Sequence, residues 1–287
     1  MSEGILYVVA TPLGNLDDIT RRALKVLSDV DVIAAEDTRH SRTLLSKYDI
    51  STPCVAVHEH NERRVADKLV ADLCGGKTIA LISDAGTPLI SDPGYYLVAT
   101  ARQQGCSIVP IPGPSALVCA LSVSGLPSDR FVFEGFLPSR SAARKRHLQS
   151  LCAEQRTIIF YESPHRIEAS LQDMSEIFGD QRQAVLAREL TKMFETVIAD
   201  TLQDLLLKVQ QDANQKKGEM VILVQAAAVE NDNSDVTVVE TLQVLLEELP
   251  LKQAVALTAK LTGGKRNQIY EMAVGLRDKG LGLSSKF

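Results

Sequence analysis

The sequence has no apolar run reaching the roughly 18 residues of a membrane span, no closely spaced cysteine pair, no surplus of positive charge, and neither of the common phosphate-gripping loops. Each absence removes a class of protein. Without a long apolar run the chain reads as soluble and not membrane-bound. Its start, MSEGILYVVATPLG, carries an acidic residue and breaks at Pro12, unlike a secretory leader. The five cysteines, Cys54, Cys74, Cys106, Cys119 and Cys152, are odd in number and scattered, which fits a reduced cytoplasmic chain and shows no metal-ligand spacing. A formal net charge of −5 argues against coating nucleic acid by bulk electrostatics, so any RNA contact is local. No GxxxxGKS or GxxxxGKT word occurs, and no GxGxxG follows the first apolar run, which disfavours a P-loop ATPase and the usual dinucleotide fold.

What is present is an ordered α/β chain. At 287 residues, 45% hydrophobic and 23% charged, it is long enough for two domains with ordinary cores. Val- and Ile-rich runs (ILYVVA, DVIAAED, TIALISD, SIVPIPG) alternate with helix-like segments, one of them RRALKVL behind a candidate N-cap at Thr20. This alternation is that of a mostly parallel sheet with helices on its faces. A boundary falls at GLPSDR, after which the alternation resumes with FVFEGF, TIIFYES, AVLAREL and MVILVQA. We therefore expect an N-terminal α/β domain over 1–125, a second α/β domain over 126–230, and a helical tail over 236–287. In the tail Leu242, Leu245, Leu246 and Leu249 keep helical spacing. Ala254, Leu257 and Leu261 then precede a Thr262-Gly263-Gly264 break and a helix with Ile269, Tyr270 and Ala273, the pattern of a helix-turn-helix. Lys265, Arg266, Asn267 and Gln268 would begin its second helix facing RNA; the alternative is a helical cap packed on the body or on a second subunit.

The most informative word is LISDAGTPLISDPG, residues 81–94, an apolar strand running into a turn crowded with Asp, Gly, Thr and Pro. VVATPLGN and VPIPGPSA end in the same manner. Any one of these is readable as a tight turn. Three strand ends of this kind point to one site, because ligands of open parallel sheets bind beyond the carboxyl ends of the strands. Lacking a phosphate loop, such a site suits an uncharged or zwitterionic cofactor held by backbone groups and hydroxyls.

The words ATPLGNLDDIT, AAEDTRHS, SDAGTPLISDPG, PGPSA, GLPSDRF, FYESPHR, LARELTK and KKGEMVILV resemble the tetrapyrrole methylase superfamily of S-adenosylmethionine-dependent methyltransferases over nearly the whole chain. The departures, VATPLGN for a VGxGPG loop and AGTP for GGDP, match its rRNA-modifying branch, which 2′-O-methylates a cytidine ribose of 16S rRNA. The resemblance implies a two-domain class III methyltransferase fold with a C-terminal helical extension, a homodimer, and S-adenosylmethionine in the cleft between domains. Carried over by position, Pro12, Gly14, Asp84, Gly86, Thr87, Ile90, Ser115 and Ala116 line that cleft from the first domain. Phe160, Tyr161, Glu162, Ala187, Arg188 and Met220 enclose the cofactor from the second.

Methyl transfer from a sulfonium is an in-line displacement in which alignment dominates, and a positioned base assists. The mixed-charge words nominate Glu36, Asp37 or Glu189 to accept a proton or orient the hydroxyl, with Arg39, His165 and Arg166 placing phosphates; the alternative for each is an internal salt-bridge network. The run Arg140, Arg144, Lys145, Arg146 and His147 is the strongest candidate contact for 16S rRNA in the assembled small subunit, the alternative being a solvated basic helix face. A tetrapyrrole-precursor methylase and a non-catalytic ribosome-assembly factor are the competing readings.

Overall fold

Alternation within each apolar run decides which face of a sheet it feeds. In the computed structural model, which describes residues 4–228 and 235–278, ILYVV forms β1 (Ile5–Val9), with Leu6 buried on one face and Val9 on the other. After it come α1 (Arg21–Asp29), β2 (Val32–Ala35), α2 (Thr38–Lys47), β3 (Cys54–Ala56), α3 (Glu62–Cys74), β4 (Ile79–Ile82), α4 (Tyr95–Gln103), β5 (Ser107–Ile111) and α5 (Ala116–Ser124). Thr20 caps α1 as expected, its hydroxyl accepting from the Ala23 N–H at 3.1 Å. The five strands pair in parallel in the order β3-β2-β4-β1-β5. Val9, Ile33, Ala35, Ala80 and Ile82 pack under Ala23, Leu27, Leu44 and Leu45 of α1 and α2. Their neighbours Leu6, Ala34, Ile79 and Leu81 take Leu69 and Leu73 of α3 and Leu97 of α4 on the opposite face.

The second sheet departs from simple alternation. It comprises β6 (Phe131–Phe136), β7 (Thr157–Glu162), β8 (Gln183–Arg188), β9 (Thr196–Thr201) and β10 (Met220–Val224), ordered β6-β7-β10-β8-β9. Only β6 and β7 run parallel; the other neighbours are antiparallel. β8 and β9 face each other through a short loop, and a short connection cannot return the chain for parallel pairing. The short β3 and the polar β9 carry too little apolar alternation to read as strands from sequence. Helices α6 (Ser141–Ser150), α7 (Ile167–Phe178) and α8 (Leu202–Gln211) cover one face, over Ile158, Phe160, Leu186 and Ile222. The other face, with Ile159, Val185, Ala187, Val221 and Leu223, receives Leu117, Ala120 and Leu121 of α5, the helix leaving the third Gly/Pro-rich loop of the first sheet. Docking α5 there brings the loop end of the first sheet onto the second.

The sheets lie within residues 5–111 and 131–224 and belong to one compact unit, divided from a second after Ala227. The second unit contains α9 (Asp235–Glu248), α10 (Leu251–Thr262) and α11 (Arg266–Asp278). Val238, Leu242, Ala254, Val255, Ile269 and Ala273 form its core. Gly263, at φ +69°, ends α10 in the left-handed conformation that glycine favours, at the break expected there. The buried side of α10 is shifted from the expected one: Ala254, Val255 and Thr258 point inward, while Leu257 and Leu261 are exposed. Lys265, Arg266, Asn267 and Gln268 are all exposed at the start of α11. No described helix is long and apolar enough to cross a membrane.

Candidate active site

Strand order explains why three loops distant in sequence act together. β4, β1 and β5 are neighbours and parallel, so the loops after them leave the same end of the sheet. They are then tied to one another. Thr11 and Gly86 exchange backbone hydrogen bonds, Thr11 N–H to Gly86 O at 2.8 Å and Gly86 N–H to Thr11 O at 3.1 Å. Gly86 sits at φ +83°, where a side chain would be strained. The Thr11 hydroxyl donates to Ser83 O at 3.1 Å, and the Thr87 hydroxyl donates to Pro114 O at 2.9 Å.

The second sheet closes the other side. The Leu117 N–H donates to Tyr161 Oη at 3.2 Å, and the Asn15 N–H to Thr191 Oγ1 at 3.3 Å. Among the described residues five non-glycines have φ in the left-handed region. Leu89 and Ser91 lie in the loop after β4, Glu189 and Thr191 in the loop after β8, and Asp49 elsewhere. Concentrated backbone strain of this kind marks ligand-binding loops held by surrounding packing.

Between the walls lies a cleft of about 370 Å³. Of the residues expected there, Asp84, Gly86, Thr87, Ile90, Ser115 and Ala116 line it from the first sheet, and Tyr161, Glu162, Ala187 and Met220 from the second. Pro12 and Gly14 flank Leu13, which lines it in their place. Phe160 is a correction: strand alternation turns its ring away from the cleft into the fully buried core beneath α7. So is Arg188, whose buried guanidinium is spent on Thr196 Oγ1 and the carbonyls of Phe194 and Lys217.

Of the three residues nominated to accept the proton or orient the hydroxyl, Glu36 lines the cleft. Asp37 instead caps α2, its carboxylate accepting from the Arg39 N–H at 2.8 Å, and the Arg39 side chain is 89% exposed. Glu189 accepts from the Glu219 N–H at 2.9 Å and pairs with Lys192 at 3.1 Å. Burial works against its charge, but these partners outweigh burial and hold it below the usual carboxylate range. Arg166 clamps Glu162 at 2.7 Å and donates to Leu137 O, while Glu162 also receives the Ser163 N–H and the Ser170 hydroxyl. His165 is exposed beside them. The basic run is divided as well. Arg144 is buried against Asp173, Lys145 pairs with Glu176, and His147 lies 3.2 Å from Glu134, leaving Arg140 and Arg146 exposed.

Leu13, Phe136, Leu190, Glu219 and Asp92 are among the further lining residues that were not singled out from sequence. Asp92 stands in the SDPG end of the most conspicuous word, where its Pro-Gly neighbours read as turn chemistry. Burial foremost, then the Glu36 and Asp84 carboxylates, push it up to about 6. Burial also raises Glu36, reinforced by the charges of Asp84 and Glu59, although the Asp84 N–H donates to it at 3.3 Å. Burial pushes the Tyr161 phenol up to about 12, so it is neutral. Carboxylates thus gather in the cleft, and among the described lining residues there is no Lys, Arg or His. Such a wall repels phosphates and favours a cationic or zwitterionic ligand.

The fold and site define an α/β protein with a ligand-sized cleft between a parallel and a mixed sheet, at the loop end of the parallel one. Residues 5–206 match the family of Tetrapyrrole (Corrin/Porphyrin) Methylases, and residues 232–277 match the RsmI C-terminal HTH domain. The chain belongs to the tetrapyrrole methylase family. It is similar to proteins named Ribosomal RNA small subunit methyltransferase I: 53% identical to the one from Pseudomonas aeruginosa, over 97% of this chain and 100% of that one. With the Vibrio cholerae protein of that name the identity is 55% over 93% of each. Solved structures share the fold. Diphthine synthase aligns with TM-score 0.59 at 14% identity, over 78% of this chain and 90% of that one. Uroporphyrin-III C-methyl transferase from Thermus thermophilus, complexed with S-adenyl homocysteine, aligns with TM-score 0.53 at 15% identity, over 77% and 97%.

Proposed function

We infer that the chain is an S-adenosylmethionine-dependent methyltransferase acting on small-subunit ribosomal RNA, at the 2′-hydroxyl of a cytidine ribose. The observation that carries this reading is similarity at about half identity along essentially the full length of both chains, helical unit included, to proteins named for that activity. The cleft fits the cofactor on its own chemistry. Glu36 and Asp84 supply negative charge without a phosphate-binding cation, and Ile90, Ala187 and Met220 supply an apolar wall. S-adenosylmethionine, when bound, supplies a methyl group on a positively charged sulfur. The backbone around Gly86, Thr87, Ser115 and Ala116 holds and orients the ligand. Tyr161 stays neutral and keeps α5 registered to the second sheet.

The 16S rRNA is met within the assembled small subunit, since an acidic chain with local basic groups such as Arg140, Arg146, Lys265 and Arg266 suits a shaped, folded substrate better than free RNA. A homodimer is supported by the edge strand β9 and the loop before it, where Met193 is 90% and Phe194 67% exposed. Labelled methyl transfer offered in parallel to unmodified small subunits, free 16S rRNA and a tetrapyrrole precursor tests the reading. Label on a cytidine 2′-oxygen in the subunit is expected; label confined to the tetrapyrrole would overturn it.

A further inference from the structure

Six titratable side chains line the cleft, and their partners separate them. Glu162 is saturated by Arg166, the Ser163 N–H and the Ser170 hydroxyl. Glu219 is paired with Lys192 and largely exposed at the rim. Asp84 accepts the Asp37 N–H at 3.1 Å, and Glu36 accepts the Asp84 N–H, so both act as struts between the loops after β2 and β4. The Tyr161 oxygen is engaged by the Leu117 N–H. Asp92 remains. The nearby Ser83 hydroxyl favours its ionised form while itself donating to the Ala85 and Gly86 carbonyls, and among the described residues no cation pairs with it. It is carried by a loop held on both sides. Ser91 before it sits at φ +69°, and after it the Glu62 carboxylate accepts the N–H groups of Gly94 at 3.1 Å and Tyr96 at 2.7 Å.

We propose that Asp92 is the catalytic residue that receives the proton of the acceptor hydroxyl. This role rests on the reading of the cleft as a site of methyl transfer to a ribose oxygen. As the hydroxyl oxygen bonds to the methyl carbon, the carbon–sulfur bond breaks and its electron pair stays on sulfur. The hydroxyl proton passes to an Asp92 carboxylate oxygen. The positive charge on sulfur and the negative charge on Asp92 disappear together, so the cleft ends neutral at both centres. A carboxylate whose pKa lies just below the working pH is mostly ionised and yet a stronger base than an ordinary aspartate. The charged and titratable groups that bear on it are Glu36 from the loop after β2, Asp84 from the loop after β4 and Tyr161 from β7. The two carboxylates raise its basicity.

The test compares the wild-type chain with Asp92→Asn and Asp92→Glu. It measures S-adenosylmethionine affinity by calorimetry, thermal stability without ligand, and single-turnover methyl transfer to unmodified small subunits from pH 5 to 9. Asparagine should leave cofactor affinity within about threefold and the fold intact. It should slow transfer by about 10²–10⁴-fold and abolish the fall in rate that the wild type shows below about pH 6, while glutamate restores part of the rate. Transfer by Asp92→Asn at near wild-type rate would overturn the proposal. So would loss of activity accompanied by matching loss of cofactor affinity, which would make Asp92 a binding group. A wild-type chain that binds the cofactor but leaves ribosomal RNA unlabelled would instead refute the functional reading, and the proton-acceptor role with it.

Discussion

Removing Arg144 should destabilise the fold rather than weaken a contact to RNA. The side chain stands in a basic run on α6, but it is 4% exposed and meets Asp173, itself 6% exposed, at 2.7 Å. Nε donates to the same carboxylate at 2.7 Å, and the remaining N–H groups reach the carbonyls of Ser139 and Ala169. Replacing it with alanine strands a buried carboxylate, which typically costs about 3–5 kcal/mol. The Ser141 hydroxyl at 2.9 Å and Lys145 at 3.6 Å remain beside Asp173 and place the expected loss at the lower end, about 3 kcal/mol. For a unit of this size that is a fall of about 6–12 °C in Tm. Urea denaturation of Arg144→Ala, with exposed Arg146→Ala as comparison, measures it; the latter should stay within about 0.5 kcal/mol. The double replacement Arg144→Met with Asp173→Leu should recover much of the loss, because no charge is then left buried. A loss under about 1 kcal/mol for Arg144→Ala, with a selective drop in RNA affinity, would refute the assignment of this side chain to the core.

Asp92 also links stability to pH. Its folded value of about 6 lies above the ordinary 3.8, so the stability it contributes is complete below 3.8 and is lost as pH rises through 6. Asp92→Asn should therefore be more stable than wild type at pH 7.5, by about 1 kcal/mol once its partial exposure is allowed for, and equal to it near pH 4; an Asn variant less stable at both pH values would contradict this. At Gly218, φ +85° and the adjacent Glu189 carboxylate leave no room for a Cβ. Gly218→Ala should cost about 1–2 kcal/mol and weaken S-adenosylmethionine binding by displacing Glu189 from Lys192 and the Glu219 N–H, which calorimetry and thermal melting would reveal.

The cleft was legible to the extent that its walls are built from local chemistry. Gly, Pro and Thr at the ends of apolar runs can be read as loops without a partner, and ten of the fourteen residues expected to hold the cofactor do line one cleft. Phe160 and Tyr161 were placed together although a strand turns neighbours to opposite faces, and only the packing of α7 on one face and α5 on the other shows which of them meets the cleft. The charged residues were harder. A carboxylate in a mixed-charge word is free, capping or paired depending on groups elsewhere, and Asp37, Glu189 and Glu162 each prove to be engaged.

The sequence by itself determined the α/β class, the three-loop site, the family and the helical break at Gly263, because periodicity, turn chemistry and characteristic words act within a few residues of chain. Tertiary structure decided the antiparallel half of the second sheet, the burial of Arg144 against a carboxylate 29 residues away, and the gathering of Glu36, Asp84 and Asp92 in one cleft. A side chain's solvation and charge depend on what surrounds it in space, and for these groups the surroundings come from segments that the chain brings together only on folding.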